Sequence, residues 1–553
     1  MKEKIWEIRE RKHTDLIDQI LYNRGITKDS KEKFFKPDFQ KDLNDPFEMK
    51  NLKKAVLKIN EAIKNNEKIG IYTDYDADGI PAGALLYRAL TKMGAKAYVF
   101  IPNRETGYGL SEDGINYLRD KGCSIIITAD LGIKNFKEAK YCKEQSIFLI
   151  ITDHHLPDDE LPEANIIINP KIKGDKYPFK ELAGCGVIYK LIQGFAQYDR
   201  KIDDNFLKWN LDLVAIATIS DMVPLIGENR VLARYGLIVL NKTKNLGLGA
   251  LIKSASLKDK KLEAYHVGFQ LGPRINAPGR MDHATKSYEL LVTEDKNEAE
   301  SLASWLSDKN EHRQLAMEKA ETEAMNIIEK DDLAKNKIII LSGEWPKGII
   351  GPTASRIVEK YCRPAILFAK DGQKLVGSAR GVPGINLVEL IGPFEKQLIK
   401  FGGHKSAAGL SVEEKNYSAF VKGLTKLANE QIPDELLVKR IFVDAKIKLS
   451  EMTNALYDKI TQLEPFGMGN SKPVFVASGI ALENPRFVGK MEKHLSFLVS
   501  DGKDRFKSIC FNSPIDCSMI GNLKKCDIAF NLDINTWNNA TNLNLNVIDV
   551  KQV

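Results

Sequence analysis

From about residue 51 the chain repeats one pattern, a short Ile/Val-rich run followed by a helical stretch. The runs are Lys68–Thr73, Ala95–Ile101, Ser124–Ala129, Ile147–Thr152 and Asn165–Asn169, separated by helices such as Ala82–Met93. Continuous apolar strands alternating with helices predict an α/β domain over 51–241, a parallel sheet covered on both faces. In such a sheet both faces are core, so polar chemistry is confined to the strand ends. A lysine-rich stretch at 242–263 breaks the pattern and reads as a linker helix. A second α/β region over 264–435 carries a long polar helix at Glu298–Lys330, a strand at Lys337–Leu341 and glycine-rich turns. From 436 to 553 short β-like runs dominate, including Val474–Val476, His494–Val499 and Leu543–Val550, which predicts a small β-barrel. Residues 1–50 are charged and weakly periodic, a helical lead-in.

At 553 residues the chain has length for several domains. Its 81 Lys+Arg against 74 Asp+Glu give a net charge of +7, which permits an anionic partner without demanding one. No apolar run approaches the roughly 18–20 residues of a membrane span. Met1–Leu16 lacks the apolar core of a signal peptide. Seven scattered cysteines with no C-x-x-C spacing suit a reducing, cytoplasmic setting and argue against structural zinc.

The sharpest local signal is Asp74-Tyr75-Asp76-Ala77-Asp78-Gly79, directly after the strand Lys68–Thr73. Three carboxylates in five residues resemble the start of a calcium loop. That loop needs Glu at its twelfth position, here Leu85, and an entering helix rather than a strand. Other acids follow the same logic as Asp74. Ser124–Ala129 runs into Asp130-Leu131-Gly132, Ile147–Thr152 into Asp153-His154-His155, and the apolar run Leu211–Ser220 into Asp221. Ligands of open parallel sheets collect at the carboxyl edge of the strands, so these acids converge. Carboxylates so close repel and cannot all ionise, a conflict that divalent cations remove. The expected site is a metal centre, with two ions. Mostly carboxylate oxygen with one or two imidazoles suits Mn²⁺ or Mg²⁺, and the absence of thiolate disfavours zinc. Two ions a few ångströms apart activate water and stabilise the leaving oxygen of a phosphoester.

In order, Asp74–Gly79, Asp130–Gly132, Asp153-His154-His155 and Ser220-Asp221 resemble the motifs of the DHH phosphoesterase superfamily. The resemblance implies Asp76, Asp78, Asp130, His154 and Asp221 as metal ligands. It implies His155 as a catalytic or phosphate-contacting residue, with Asp74 and Asp153 as close ligands or supports.

Downstream, Gly272-Pro273-Arg274-Ile275-Asn276-Ala277-Pro278-Gly279-Arg280-Met281 reads as a turn-rich loop. Gly377-Ser378-Ala379-Arg380 reads as following a strand, and Phe401-Gly402-Gly403-His404 precedes Ala407-Ala408-Gly409. Glycine lets backbone N–H groups approach an anion, and arginine supplies a bidentate fork for phosphate. Together these segments resemble the DHH-associated domain, which grips substrate opposite the metals, so Arg274, Asn276, Arg280, Ser378, Arg380 and His404 are substrate-binding candidates. The whole arrangement is similar to the RecJ family of single-strand-specific 5′→3′ DNA exonucleases. That likeness adds Arg104, ahead of Gly107-Tyr108-Gly109-Leu110, to a 5′-phosphate pocket with Ser378 and Arg380. It also makes the C-terminal domain an OB-like barrel that Leu463–Asn470 leads into. Phe475, Phe487, Phe497, Phe506, Phe511 and Trp537 are interleaved there, with Arg486, Lys490, Lys493, Lys503, Arg505 and Lys507 around them. Basic groups beside rings are what a single strand needs, although barrel aromatics are more often core.

Two positions depart from the family pattern. Trp345-Pro346-Lys347-Gly348 lacks the usual His after Trp, and Leu131 follows the second-motif Asp in place of a polar or small residue. The resemblance implies release of 5′-mononucleotides from single-stranded DNA in repair and recombination. It implies a monomer, with a single-strand-binding protein or a helicase as further partners. The alternatives are a DHH phosphoesterase of oligoribonucleotides or cyclic dinucleotides, which usually lacks the barrel, and a non-catalytic strand-binding scaffold, whose motifs erode.

Overall fold

The structure, a computed structural model, describes residues 4–103, 109–489, 492–513, 525–537 and 540–552, from strand β1 (Ile5–Ile8) to β18 (Ala540–Gln552). The chain divides into two compact units. One comprises Leu43–Val223 and Gly227–Lys439; the other comprises Met1–Asp42, Pro224–Ile226 and Arg440–Val553.

In the larger unit, β2 (Lys68–Thr73), β3 (Lys96–Phe100), β4 (Cys123–Ala129), β5 (Phe148–Thr152) and β6 (Ile166–Ile168) form a sheet. All its pairings are parallel, in the order β3-β2-β4-β5-β6. Ile69, Ile71, Ile125, Ile126, Ile127 and Ile150 are fully buried, as expected of strands with helices on both faces. The apolar run Leu211–Ser220 is a helix with Asp221 at its C-cap, because its apolar residues surround the axis and are buried all round.

The same unit holds a second, mixed sheet of β7 (Ile339–Gly343), β8 (Ala365–Asp371), β9 (Lys374–Arg380), β10 (Leu398–His404) and β11 (Ala407–Glu413). Its order is β10-β11-β9-β8-β7, with only β7 and β8 parallel. Gly377–Arg380 therefore lies inside a strand rather than after one, and Phe401–His404 is one arm of a hairpin. Gly272–Met281 is a helix, not a loop. It continues directly from the π-helical turn Val267–Leu271, and Pro273 falls just after that wider turn, where the regular hydrogen-bond ladder is already interrupted. The polar helix extends over Lys296–Lys330.

In the smaller unit, β14 (Phe475–Val488), β15 (His494–Ser500), β16 (Arg505–Cys510), β18 and β17 (Cys526–Trp537) follow one another in hydrogen-bonded order. A β14–β17 pairing closes them into a barrel, and β13 (Ala445–Lys446) adds to β14. Phe475, Phe497 and Phe530 fill its core. Residues 1–50 are more than a helical lead-in. β1 pairs in parallel with β12 (Arg440–Val443), and Leu16, Ile17, Ile20, Leu21 and Phe34 join the barrel's apolar cluster. The six described cysteines are free. Among the described residues no helix is long and apolar enough to cross a membrane.

Candidate metal centre

The first parallel sheet reverses its winding between β2 and β4, with β3 on one side and β5 on the other. Ligands of open sheets bind outside the carboxyl ends of the strands at such a point. Three acids sit there, each closing the last rung of the ladder. The N–H of Asp74 donates to Ala129 O at 3.2 Å, that of Asp130 to Thr152 O at 3.1 Å and that of Asp153 to Ile168 O at 3.1 Å. Asp130 takes a left-handed backbone with φ of 67°, a conformation costly for a non-glycine residue and characteristic of functional turns.

His154 is the focus. Its Nε2 lies 3.2 Å from Asp130 Oδ1, 3.6 Å from Asp221 Oδ2 and 3.8 Å from Asp78 Oδ2. Buried Nε2 makes no hydrogen bond to any of them, the disposition of donors ranged around a common centre. Donor atoms of three groups lie within 4.8 Å of one another: Asp78, His154 and Asp221; Asp130, His154 and His155; and Asp74, Asp76 and Asp130.

The electrostatics call for cations. Burial, then the charge of Asp76, pushes Asp78 up to about 7. Burial and the neighbouring carboxylates raise Asp130 and Asp221 far above the usual carboxylate range. Burial and the adjacent His155 lower His154 to about 3, which keeps it a neutral donor. Carboxylate oxygen with imidazole and no thiolate fits Mn²⁺ or Mg²⁺.

Backbone amides hold this arrangement. Asp78 Oδ2 and Oδ1 accept from the N–H groups of Gly184 and Cys185 at 2.6 and 2.7 Å, the first turn of the helix Gly184–Ala196. Asp153 accepts from Ile133 N at 2.9 Å and from His154 N and His155 N at 2.7 and 3.0 Å. Its Oδ1 also lies 2.7 Å from His155 Nδ1. Burial alone would raise Asp153, yet the His155 contact brings it down to about 2. Burial would lower His155, yet Asp153 lifts it to about 9.

Three family descriptions match the chain. They are the DHH family, N-terminal domain, over residues 68–218, the DHHA1 domain over 335–430 and the RecJ OB domain over 443–549. The single-stranded-DNA-specific exonuclease RecJ of Bacillus subtilis is 35% identical over 552 residues, 99% of this chain and 69% of that protein. The exonuclease of the same name from Salmonella typhimurium is 32% identical over 91% of this chain and 90% of its own length. This chain belongs to the RecJ family. A solved RecJ family structure, RecJ in complex with Mn²⁺ from Thermus thermophilus, superposes with a TM-score of 0.86 at 26% identity. The alignment covers 100% of this chain and 80% of that one.

The structure brings Asp74, Asp76, Asp78, Asp130, Asp153, His154, His155 and Asp221 to one place. His404 lies within their field: burial, then Lys134, His155 and Lys171, lower its imidazole pKa. Asn276 reaches the acidic loop, its Oδ1 accepting from Ala77 N at 2.8 Å. Arg280 Nη1 donates to Gly348 O at 3.2 Å. Arg274 instead turns toward the long helix, its Nε donating to Ser307 Oγ at 3.2 Å. Ser378 and Arg380 touch, Nη1 to Oγ at 2.9 Å, at the start of the helix Ile350–Tyr361. A Cβ on Gly351 would lie 2.7 Å from Arg380 Nη2 and 3.0 Å from Ser378 Oγ. Arg104, Lys490 and the side chain of Trp537 lie outside the described residues. At the two departures, Leu131 is buried in core and Lys347 pairs with Asp371 at 2.7 Å. Sequence reasoning missed Lys134, Lys171 and the amides of Gly184 and Cys185. The Gly184-Cys185-Gly186 run opening an apolar helix was the available signal.

Proposed function

We propose that this chain is a metal-dependent exonuclease that removes 5′-mononucleotides from single-stranded DNA in the 5′→3′ direction. The observation that carries this reading is the ring of Asp78, Asp130 and Asp221 around His154, built into a chain of the RecJ family. Intact ligands favour an enzyme over a strand-binding scaffold, and a closed barrel favours a long single strand over a short oligoribonucleotide or cyclic dinucleotide.

Asp76, Asp78, Asp130, His154 and Asp221 would hold two ions, with Asp74 beside them. When bound, Mn²⁺ or Mg²⁺ supplies the positive charge that activates water and stabilises the phosphorane-like transition state. Asp153 orients His155 through Nδ1 and keeps it protonated at neutral pH. His155 can then neutralise a phosphate oxygen and hand its proton to the departing 3′ oxygen of the terminal nucleotide. The shortened strand keeps a 5′ phosphate for the next round.

Direction follows from a terminal-phosphate pocket of Ser378, Arg380 and the N-terminus of the helix Ile350–Tyr361. A helix N-terminus and a guanidinium fork favour a dianionic terminal phosphate over an internal monoanion. Residues 51–241 carry the chemistry, 242–263 link, and 264–435 grip the strand through Asn276, Arg280 and His404. Residues 436–553 also bind single strand, through a surface where Arg486, Phe487, Lys493, Lys507 and Phe511 are exposed. The reading places a monomeric enzyme in the cytoplasm, on strands produced in DNA repair and recombination.

The test is a 5′-labelled single strand incubated with Mn²⁺. Unmodified chain should release labelled mononucleotide, and Asp130→Ala should release none while keeping much of its strand affinity. Turnover by Asp130→Ala near that of the unmodified chain would remove the proposed centre.

A further inference from the structure

The acids of the metal centre are not held alike. Asp78 and Asp153 accept from backbone amides, whereas the carboxylate of Asp221 accepts from none among the described residues. The Asp221 side chain is also 25% exposed, against 1% for Asp78 and 2% for Asp130. Its place must therefore be set by its backbone. On one side that backbone is the helix Leu211–Ser220, packed so closely that a Cβ on Gly272 would lie 2.3 Å from Ser220 Oγ.

On the other side, Pro224–Ile226 belongs to the smaller unit, although the residues before and after it belong to the larger. Leu225 is buried, and its N–H donates to Met468 O at 2.8 Å. A Cβ on Gly467 would lie 2.7 Å from Leu225 Cδ1, and one on Gly469 would lie 3.1 Å from Pro224 Cβ. Two glycines thus open a socket for Leu225. The socket is itself braced. Gly467 and Asn470 exchange backbone hydrogen bonds at 2.9 and 3.1 Å, and the Asn470 amide donates to Leu463 O and Pro465 O, both at 2.8 Å.

Only Met222, Val223 and Pro224 join Asp221 to Leu225, and this span is stiff. Met222 has a left-handed φ of 58° while its side chain is 65% exposed. Its strain is therefore held by the two ends of the segment rather than by packing. Val223 precedes proline, which confines it to extended backbone, and Pro224 has a fixed φ. Four residues reach at most about 14 Å, and here few soft torsions remain to absorb a shift.

We propose that Leu225, seated in the Gly467–Asn470 socket, is a positioning residue for Asp221. The smaller unit then contributes to the metal centre as well as to strand binding. The proposal rests on the reading of Asp221 as a metal ligand, in one donor group with Asp78 and His154.

Calorimetric titration of the full chain with Mn²⁺ tests this without any turnover. Leu225→Ala should weaken one of the two ions by about tenfold, the lower end of the loss when a ligand's support is removed, and leave the other unchanged. Leu225→Met, close to leucine in volume, should bind both ions as the unmodified chain does. Gly467→Ala presses on Leu225 from the opposite side and should weaken the same ion. Because Leu225→Ala makes room for the new methyl, the double variant should bind no more weakly than Leu225→Ala alone. Should Leu225→Ala fail to fold, Gly467→Ala, which removes no core atom, decides by the same readout. Unchanged affinity, equal losses at both ions or additive losses in the double variant would overturn the positioning role. Asp221→Ala in the same titration separates the two readings. If it weakens neither ion, the ligand reading falls and the proposal with it; if it weakens one ion and the socket variants do not, the proposal alone falls.

Discussion

The backbone N–H of Gly184 donates to Oδ2 of Asp78 at 2.6 Å. The same residue is boxed in from the other side, since a Cβ there would lie 2.4 Å from Oδ1 of Asp130. One glycine therefore sets the spacing of two proposed metal ligands on different elements. Gly184→Ala should weaken Mn²⁺ binding by about 10–100-fold, the range seen when the supports of metal ligands are lost. Calorimetric titration with Mn²⁺ checks this, and an unchanged affinity would show that the site tolerates a wider gap.

Metal removal should reverse the ordinary pH response of stability. In the metal-free protein Asp78 titrates at about 7, and Asp130 and Asp221 are also raised. A carboxyl raised above its unfolded value of about 3.9 binds more protons when folded. Its contribution is complete below about pH 4 and is lost as pH rises through the folded pKa. His155, raised to about 9, keeps its own contribution below about pH 6.5, whereas His154, lowered to about 3, opposes the trend up to that pH as one imidazole against three raised carboxyls. Chelated protein should therefore melt at progressively lower temperature from about pH 4 to pH 7, and saturating Mn²⁺ should abolish that slope. Binding near pH 6 should also release protons, seen as a buffer-dependent heat.

Arg380 already donates to Ser378 Oγ and to Ala379 O, at 2.9 and 2.8 Å, so its guanidinium is held before any substrate arrives. Arg380→Ala should raise KM for 5′-phosphorylated strands by roughly 10–100-fold, the equivalent of about 1.5–3 kcal/mol from a charged hydrogen bond. Strands with a 5′ hydroxyl should be affected much less. Equal losses on both would place the terminal-phosphate pocket elsewhere.

Away from the site, Lys190 Nζ pairs with Glu228 Oε1 at 2.6 Å, both side chains buried. Tyr177 O–H and Asn44 N–H also donate to Glu228, at 2.6 and 2.7 Å. Glu228→Ala leaves a buried ammonium unpaired and should cost about 3–5 kcal/mol in denaturant unfolding. Glu228→Leu combined with Lys190→Met should recover most of that loss.

The sheet and its acidic edge were legible because buried parallel strands write themselves as unbroken apolar runs, and the first polar residue after each run marks the strand end. Asp74, Asp130 and Asp153 were found that way. Gly272–Met281 was not, since glycine and proline suggest turns while here glycine serves close packing against Ser220 and proline follows a π-helical turn. Nothing local revealed that Ser378 and Arg380 sit within β9, or that Gly184 and Cys185 clasp Asp78. Both facts depend on partners far away in the chain. The pairing of β1 with β12 is the extreme case, a four-residue strand whose partner carries no matching signal.

That pairing also fixes an order of events during synthesis. Ile5–Ile8 is made well before its partner Arg440–Val443, which follows about 430 residues later. At 5–20 residues per second the ribosome needs roughly 20–90 s to cover that distance. Through that interval Leu16, Ile20 and Phe34 lack the barrel strands they finally pack against, while the parallel sheet that bears the acids can already form. A segment made early is thus among the last to find its place, and it is the stretch most in need of shelter while the chain grows.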